Sequence, residues 1–344
     1  MKPNASTVIA GKWISVLMFA LLALSWTGWG AEAEPWKFGV FCDTRGSNEN
    51  VAGKSCVNKQ ALAAIADKIV VEECELVLVP GDLVNGYWAN GGMSYEDQFL
   101  IWTEIMAPVY EARIPIYTVR GNHEDDSSPY LPAPDRELWN AYMEAFGNGN
   151  PQNGPEGEQG LTYSFEWKNA LFVGLDEYVT PHQVNQDWLD LQTPSRQVQH
   201  VFAFGHEPAY QVVHADCLAA YSRSRQLFWN SLGALGCRVY FCGHDHLYDR
   251  AHVQDLQGNV IWQMLVGSGG APHHGEPWLP PHADGSVEGD CHQEGGVGLA
   301  TVTIQGGRAT IDWWWWNSDY VLAPRWYLLD TFEYAILESV SISH

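Results

Sequence analysis

Leu76-Val77-Leu78-Val79-Pro80-Gly81-Asp82 is a short apolar run that stops on a glycine and a carboxylate. A run apolar on both faces is what a strand in the middle of a parallel sheet requires. An earlier run, Phe38-Gly39-Val40-Phe41-Cys42, stops in the same way on Asp43. Between the two, Leu62, Ile65, Ala66, Ile69 and Val70 recur at helical spacing. The pattern then repeats. Residues 99–110 read as a helix, with Ser94 and Asp97 placed as its N-terminal cap. Ile116-Tyr117-Thr118-Val119 reads as a strand running into Gly121-Asn122-His123-Glu124. Strand–helix–strand alternation of this kind predicts βαβ units and an α/β sheet.

Beyond this core the composition changes. Residues 129–160 are rich in Pro, Gly and Asn and read as a surface excursion near the site, with a helix-like stretch at 135–146. Residues 162–167 and 170–175 make a hairpin around Lys168-Asn169. Helices are expected at 184–191 and 225–235, and strands at 201–204, 239–242, 260–266, 299–304 and 309–316. Residues 267–298 read as a long loop of Gly, Pro and His. With no internal repeat and no separating linker, residues 34–344 are expected to form one domain with the excursions 129–160 and 267–298.

Residues 1–33 stand apart. Lys2 and Lys12 precede a nearly unbroken apolar run over residues 13–26, and Ala31-Glu32-Ala33 supplies small residues at signal-peptidase spacing. The apolar core is too short to favour a spanning helix. The expectation is a signal peptide cut near Ala33, a secreted or periplasmic location, and no stable membrane association after cleavage. An uncleaved N-terminal anchor is the alternative. No cysteine follows the apolar run, so a lipoprotein anchor is not indicated.

The 344 residues carry 18 Lys+Arg against 41 Asp+Glu, a formal charge of −23. That balance argues against nucleic acid as the main partner and against adsorption to an anionic membrane. With 46 % hydrophobic and 17 % charged residues, the chain has the material for a packed core and is not of disordered composition. The seven cysteines, in an exported protein, make disulfides plausible, including Cys42 with Cys242 if their strands neighbour. No C-x-x-C pair is present, so neither a zinc knuckle nor a thioredoxin-type site is supported.

Five apolar runs end in residue types that bind metals: Asp43; Gly81-Asp82; Gly121-Asn122-His123-Glu124; Gly205-His206-Glu207-Pro208; and Gly243-His244-Asp245-His246. The leading residues are 39, 40, 84 and 38 positions apart. Three intervals suit one crossover each, and the long one suits two with the excursion between them. Ligands of open α/β sheets gather beyond the carboxyl ends of strands, so these side chains are expected to converge.

In order and spacing the five runs resemble the calcineurin-like metallophosphoesterase superfamily, whose pattern is D-x-H, G-D, G-N-H, H and G-H-x-H. Gly267-Ser268-Gly269-Gly270-Ala271-Pro272 resembles a glycine-rich turn of these enzymes. His206-x-Pro208-x-Tyr210 and Gly243-His244-x-His246-x-Tyr248-x-Arg250 resemble the purple-acid-phosphatase branch, as does Gln186-x-Trp188-Leu189. The resemblance implies an αββα sandwich of two mixed β-sheets flanked by helices. It implies two transition-metal ions, Mn, Zn or Fe, with Asp82 bridging, Asp43 and His246 on the first, and Asn122, His206 and His244 on the second. His123 would face the leaving group as general acid or orient the phosphoryl group. The implied reaction is hydrolysis of a small-molecule phosphate ester by a metal-bridging hydroxide. A phosphomonoesterase is favoured; a phosphodiesterase, or a metal-binding homologue without turnover, is the alternative.

Two positions depart from the family pattern. Asp43-Thr44-Arg45 carries Arg where a His ligand is common, and an arginine does not give up its proton to bind a metal. Arg45 is expected either to hold a phosphate oxygen or to lie in a turn with Gly46. Asn85 stands where the purple branch carries its iron-binding Tyr, so the protein is expected not to be purple, with a weaker first metal site. Glu124 and Asp245, beside the ligands, read either as partners that orient an imidazole or as solvated turn carboxylates. His273, His274, His282 and His292 read as a lid or substrate-facing loop in preference to a third metal site. Trp313-Trp314-Trp315-Trp316 reads as a strand packed on both faces in preference to a carbohydrate-stacking patch.

Overall fold

The computed structural model describes residues 34–46, 56–86, 93–125, 136–273, 287–317 and 325–336. The expected signal peptide, Tyr87, His274 and His282 lie outside them. In chain order the first half runs β1 (Trp36–Val40), α1 (Lys59–Val71), β2 (Leu76–Pro80), α2 (Tyr95–Ile105), α3 (Ala107–Glu111), β3 (Ile116–Val119) and α4 (Glu137–Tyr142). The hairpin β4 (Tyr163–Trp167) and β5 (Ala170–Gly174) follows, then α5 (Gln186–Leu189), β6 (His200–Phe204), α6 (Ser222–Leu235) and β7 (Cys237–Cys242). The remainder is β8 (Tyr248–Gln254), β9 (Val260–Val266), β10 (Val287–Gln293), β11 (Val297–Gln305), β12 (Arg308–Asn317) and β13 (Arg325–Ala335).

These strands form two mixed sheets, ordered β13-β12-β11-β1-β2-β3 and β10-β8-β9-β7-β6-β5-β4. Strands β1, β2 and β3 are parallel in the first, and β5, β6, β7 and β9 in the second. The sheets face each other across an aromatic core in which Phe38 meets Phe172 and Phe202 edge-on, both at 5.1 Å. On the outer face of the first sheet, Leu62, Ile65 and Ile69 of α1 join Val77 and Val79 in a second cluster. On the outer face of the other, Phe228, Trp229 and Leu232 of α6 join Val173 and Ala203. The result is the expected αββα sandwich. β2 is buried along its whole length because helices cover one side and the partner sheet the other.

The helix caps follow the sequence signals. Asn58 accepts from the Ala61 N–H at the start of α1, and Ser94 accepts from the Asp97 N–H at the start of α2. The single helix expected over 99–110 is two helices. The break falls at Met106, just before Pro108, whose ring cannot continue an α-helical bond ladder. The helix expected over 184–191 spans only Gln186–Leu189, and the stretch at 135–146 passes into a π-turn at Met143–Gly147. Tyr142 and Phe146 are buried against α2, so this part of the excursion belongs to the helical layer and is not a surface feature alone.

Three strands were not expected: β8, β10 and β13. β10 lies inside the stretch 267–298 read as a loop, and pairs with β8. β13 closes the first sheet beyond β12. The tryptophan strand is packed on both faces as expected. Trp313 stacks on Tyr248 of the facing sheet at 4.3 Å, while the Lys68 ammonium of α1 lies 3.5 Å over Trp314. The disulfide expectation is overturned: all seven cysteines are free. Cys42 and Cys242 follow or end strands of opposite sheets, and the Cys42 thiol contacts the Cys242 carbonyl at 3.7 Å.

Candidate metal centre

The strand ends turn sharply. Asp43, Asp82 and His244 all adopt left-handed backbone, with φ of 57°, 51° and 73°. Non-glycine residues rarely do so, and sites that demand it concentrate where function fixes a side chain. The glycines before the second and third motifs permit the close approach of these turns. A Cβ on Gly121 would lie 2.1 Å from Asp82 Oδ1, and one on Gly81 would lie 2.7 Å from His206 Nδ1. Asp43 Oδ2 accepts from the His244 N–H at 3.2 Å and so ties the end of β1 to the turn after β7.

All six expected ligands and both expected catalytic residues come together here. Asn122 Oδ1 lies 3.0 Å from His206 Nε2 and 3.1 Å from His244 Nδ1, and Asp82 Oδ1 lies 3.4 Å from His206 Nε2. The Pro80 carbonyl accepts from His206 Nδ1 at 2.8 Å, which leaves the Nε2 lone pair facing this cluster. Asp43, Asp82 and His206 also offer ligand atoms within 4.8 Å of one another. Asp43 Oδ1 and His244 Nε2 are buried without a hydrogen bond. The convergent oxygen and imidazole donors of Asp82, Asn122, His206 and His244 fit a transition-metal cation.

The other side of Asp82 differs. Its Oδ2 lies 3.5 Å from Arg45 Nε, and Arg45 Nη2 lies 3.4 Å from His246 Nε2. His246 Nε2 is also 3.5 Å from Asp43 Oδ1. Arg45 is buried, and its guanidinium points into the centre towards Asp82 and His246. His123 donates from Nδ1 to the Asn85 carbonyl at 3.0 Å and places Nε2 3.9 Å from Asp82 Oδ2.

The carboxylates around the centre act on the backbone. Glu124 is fully buried and accepts from the N–H groups of Asp82, Gly121 and Val84 at 2.9, 2.9 and 3.1 Å. It thus staples the turns after β2 and β3, which is neither of its expected roles. Burial, with Asp82 beside it, pushes its pKa up to about 8. Asp245 accepts from the N–H groups of Val213 and His214 and from the His214 imidazole. Glu177, which sequence reasoning missed, accepts from the N–H groups of His206 and Glu207 at 2.8 and 2.6 Å. Its signal was present: the run ending in Leu175-Asp176-Glu177 is a further strand that stops on acids. Asp216, on the rim, has no such signal; it lies 3.6 Å from His244 Nε2.

Burial works against a charged His244, yet Asp216, Asp245 and Glu207 raise its pKa to about 9. Burial brings His206 down to about 4, against the pull of Asp82. For Asp82, burial opposes ionisation, but His206, His123 and Arg45 hold its carboxyl well below the usual range. Of the other histidines, His273 contacts the His246 carbonyl and His292 pairs with Asp249, at 3.2 and 2.8 Å.

The sequence profile of the calcineurin-like phosphoesterases matches residues 52–248. No curated protein matches the chain. Among solved structures, a purple acid phosphatase from yellow lupin (Lupinus luteus) seeds is similar at 15 % identity and TM-score 0.65, over 88 % of this chain and 54 % of that one. This chain therefore spans about half the length of the lupin protein. PhoD is similar at 12 % identity and TM-score 0.61, over 89 % of this chain and 70 % of that one. GAP50, the anchor in the inner membrane complex of Plasmodium, is similar at 16 % identity and TM-score 0.52, over 86 % and 89 %. At these identities the likeness is one of fold.

Proposed function

The chain belongs to the calcineurin-like phosphoesterase family, and we propose that it is an exported, metal-dependent phosphoesterase that prefers phosphate monoesters. The observation that carries this reading is the meeting of Asp82 Oδ1, Asn122 Oδ1, His206 Nε2 and His244 Nδ1 within 3.0–3.4 Å contacts at the ends of β2, β3, β6 and β7. These four would hold one cation. Asp43 and His246, with Asp82 bridging, are the residues the family pattern assigns to a second. When bound, such ions polarise a phosphoryl oxygen and lower the pKa of water into the neutral range.

The chain's own groups do the rest. Glu124 and Glu177 hold the turns that aim Asp82 and His206, each by accepting backbone N–H groups. His123, with Nδ1 committed to the Asn85 carbonyl, turns Nε2 to the site. Burial lowers the ring's pKa to about 4, so near neutral pH Nε2 carries a lone pair. The ring acts as general acid only when a bound anionic substrate draws a proton onto it. The whole-chain charge of −23 does not describe this pocket, where bound cations and Arg45 set the local field. Preference for monoesters rests on the purple-acid-phosphatase-like residues around His206 and His244. Export rests on Lys2, Lys12, the apolar stretch 13–26 and Ala31-Glu32-Ala33. Among the described residues, no helix is long and apolar enough to cross a membrane.

The test is hydrolysis by chelator-stripped protein reloaded with Mn²⁺, Zn²⁺ or Fe. Aryl phosphate monoester should turn over faster than the matching diester. Faster diester cleavage would make it a phosphodiesterase, and tight metal binding without turnover would make it a non-catalytic homologue.

A further inference from the structure

We propose that the Arg45 guanidinium takes the place of one of the two cations of the family pattern, so that this centre binds a single metal ion, held by Asp82, Asn122, His206 and His244. The inference rests on the metal-centre reading above and deepens it.

Arg45 is only 6 % exposed, and its guanidinium reaches two of the three groups that the family pattern gives a cation on that side. Nε faces Asp82 Oδ2 at 3.5 Å, and Nη2 faces His246 Nε2 at 3.4 Å. The Pro272 carbonyl lies 2.5 Å from His246 Nδ1, so the ring's remaining lone pair is the one directed at the guanidinium. The side chain is also tethered from behind. Nη1 approaches the Gly46 carbonyl at 3.4 Å and Asn85 Oδ1 at 3.5 Å.

That tether links the two departures from the family pattern. Arg45 stands where a His ligand is common and Asn85 where the purple branch has its Tyr, and in the fold they touch. Both positions serve the same ion in the family pattern, so the fold brings them together; what this chain adds is that the side chain at 85 accepts from the guanidinium at 45 and holds it at the ion's place. Asp43 keeps a use without a metal of its own, since its Oδ2 receives the His244 N–H and fixes the turn that carries a ligand of the other ion.

Charge points the same way. A guanidinium stays protonated in proteins, so it cannot yield to an incoming ion by losing its charge. The two buried carboxylates, Asp43 and Asp82, with Arg45 and one divalent ion leave a net +1. A second divalent ion would bring this to +3 among buried side chains, where like charges repel more strongly than in bulk water.

The test counts ions without measuring turnover. Chelator-stripped protein is saturated with Mn²⁺, freed of excess by gel filtration, and analysed for manganese content and by low-temperature electron paramagnetic resonance. The expected result for the wild type is one manganese per chain with an uncoupled six-line signal. Arg45→His should raise this to two with an exchange-coupled spectrum. His246→Ala should keep the wild-type ion, whereas His206→Ala should lose it. Two coupled ions in the wild type would overturn the inference and leave the metal-centre reading standing, as would loss of the ion in His246→Ala. No manganese bound by the wild type would overturn the metal-centre reading itself, and this inference with it.

Discussion

On one side of Asp82, four donors from four strand ends face one another, with Asn122 Oδ1 3.0 Å from His206 Nε2. On the other, a guanidinium stands 3.5 Å from the same carboxylate. Both sides are made by the same device, an apolar parallel strand that stops in a sharp turn, with left-handed backbone at Asp43, Asp82 and His244. The difference lies in one side chain, Arg45. The fold thus fixes where chemistry can happen, and the residue at each turn decides which charge the position holds.

The largest expected effect tests that asymmetry by turnover. His206→Ala should lower monoester hydrolysis by about 10²–10³-fold, the scale seen when a preorganised electrostatic group is removed. His246→Ala should lower it by about tenfold at most, the low end for groups that orient a site without holding its ion. Equal losses would break the contrast between the two sides.

A smaller effect concerns pH. In the metal-free chain His244 keeps its proton up to about 9, while His206 is neutral above about 4. Metal binding needs both rings neutral, so it expels the His244 proton. Manganese affinity should therefore rise by about tenfold per pH unit between pH 6 and 8 and level off above about 9. Asp216→Asn removes a partner of the charged ring and should move the plateau to lower pH. A pH-independent affinity in the wild type would contradict the assignment of His244 as a ligand.

The smallest effect is spectroscopic. Asn85 cannot supply a tyrosinate to iron, so iron-loaded protein should show no purple charge-transfer band. Such a band would place a tyrosine at the centre and undo the pairing of Arg45 with Asn85.

The site was legible in the sequence because its framework is made of strands buried on both faces. β2 and most of β6 and β7 are apolar, and each runs into its functional residue. The strands that went unread obey a different rule. β10 is largely exposed and shows no hydrophobic run, and β13 lies at a sheet edge with only Tyr334 buried, its run Trp326-Tyr327-Leu328-Leu329 ending on no functional motif. β8 carries Asp249, Arg250 and His252, which break its apolar pattern and pair with groups of β10 and β13. Glu124 was seen but misread, because local sequence does not say whether a turn carboxylate meets water or backbone N–H groups; Asp245 meets both backbone N–H groups and the imidazole of His214. The pairing of Arg45 with Asn85 lay beyond reach for another reason. Forty residues separate them, and only the parallel neighbours β1 and β2 bring them together.

Asp82 joins both sides of the centre, so the most direct measurement is monoester hydrolysis by manganese-loaded wild type beside Asp82→Asn, with matched circular dichroism spectra. Turnover by the wild type and background rates for Asp82→Asn are expected. Equal rates in the two proteins would contradict hydrolysis at this carboxylate.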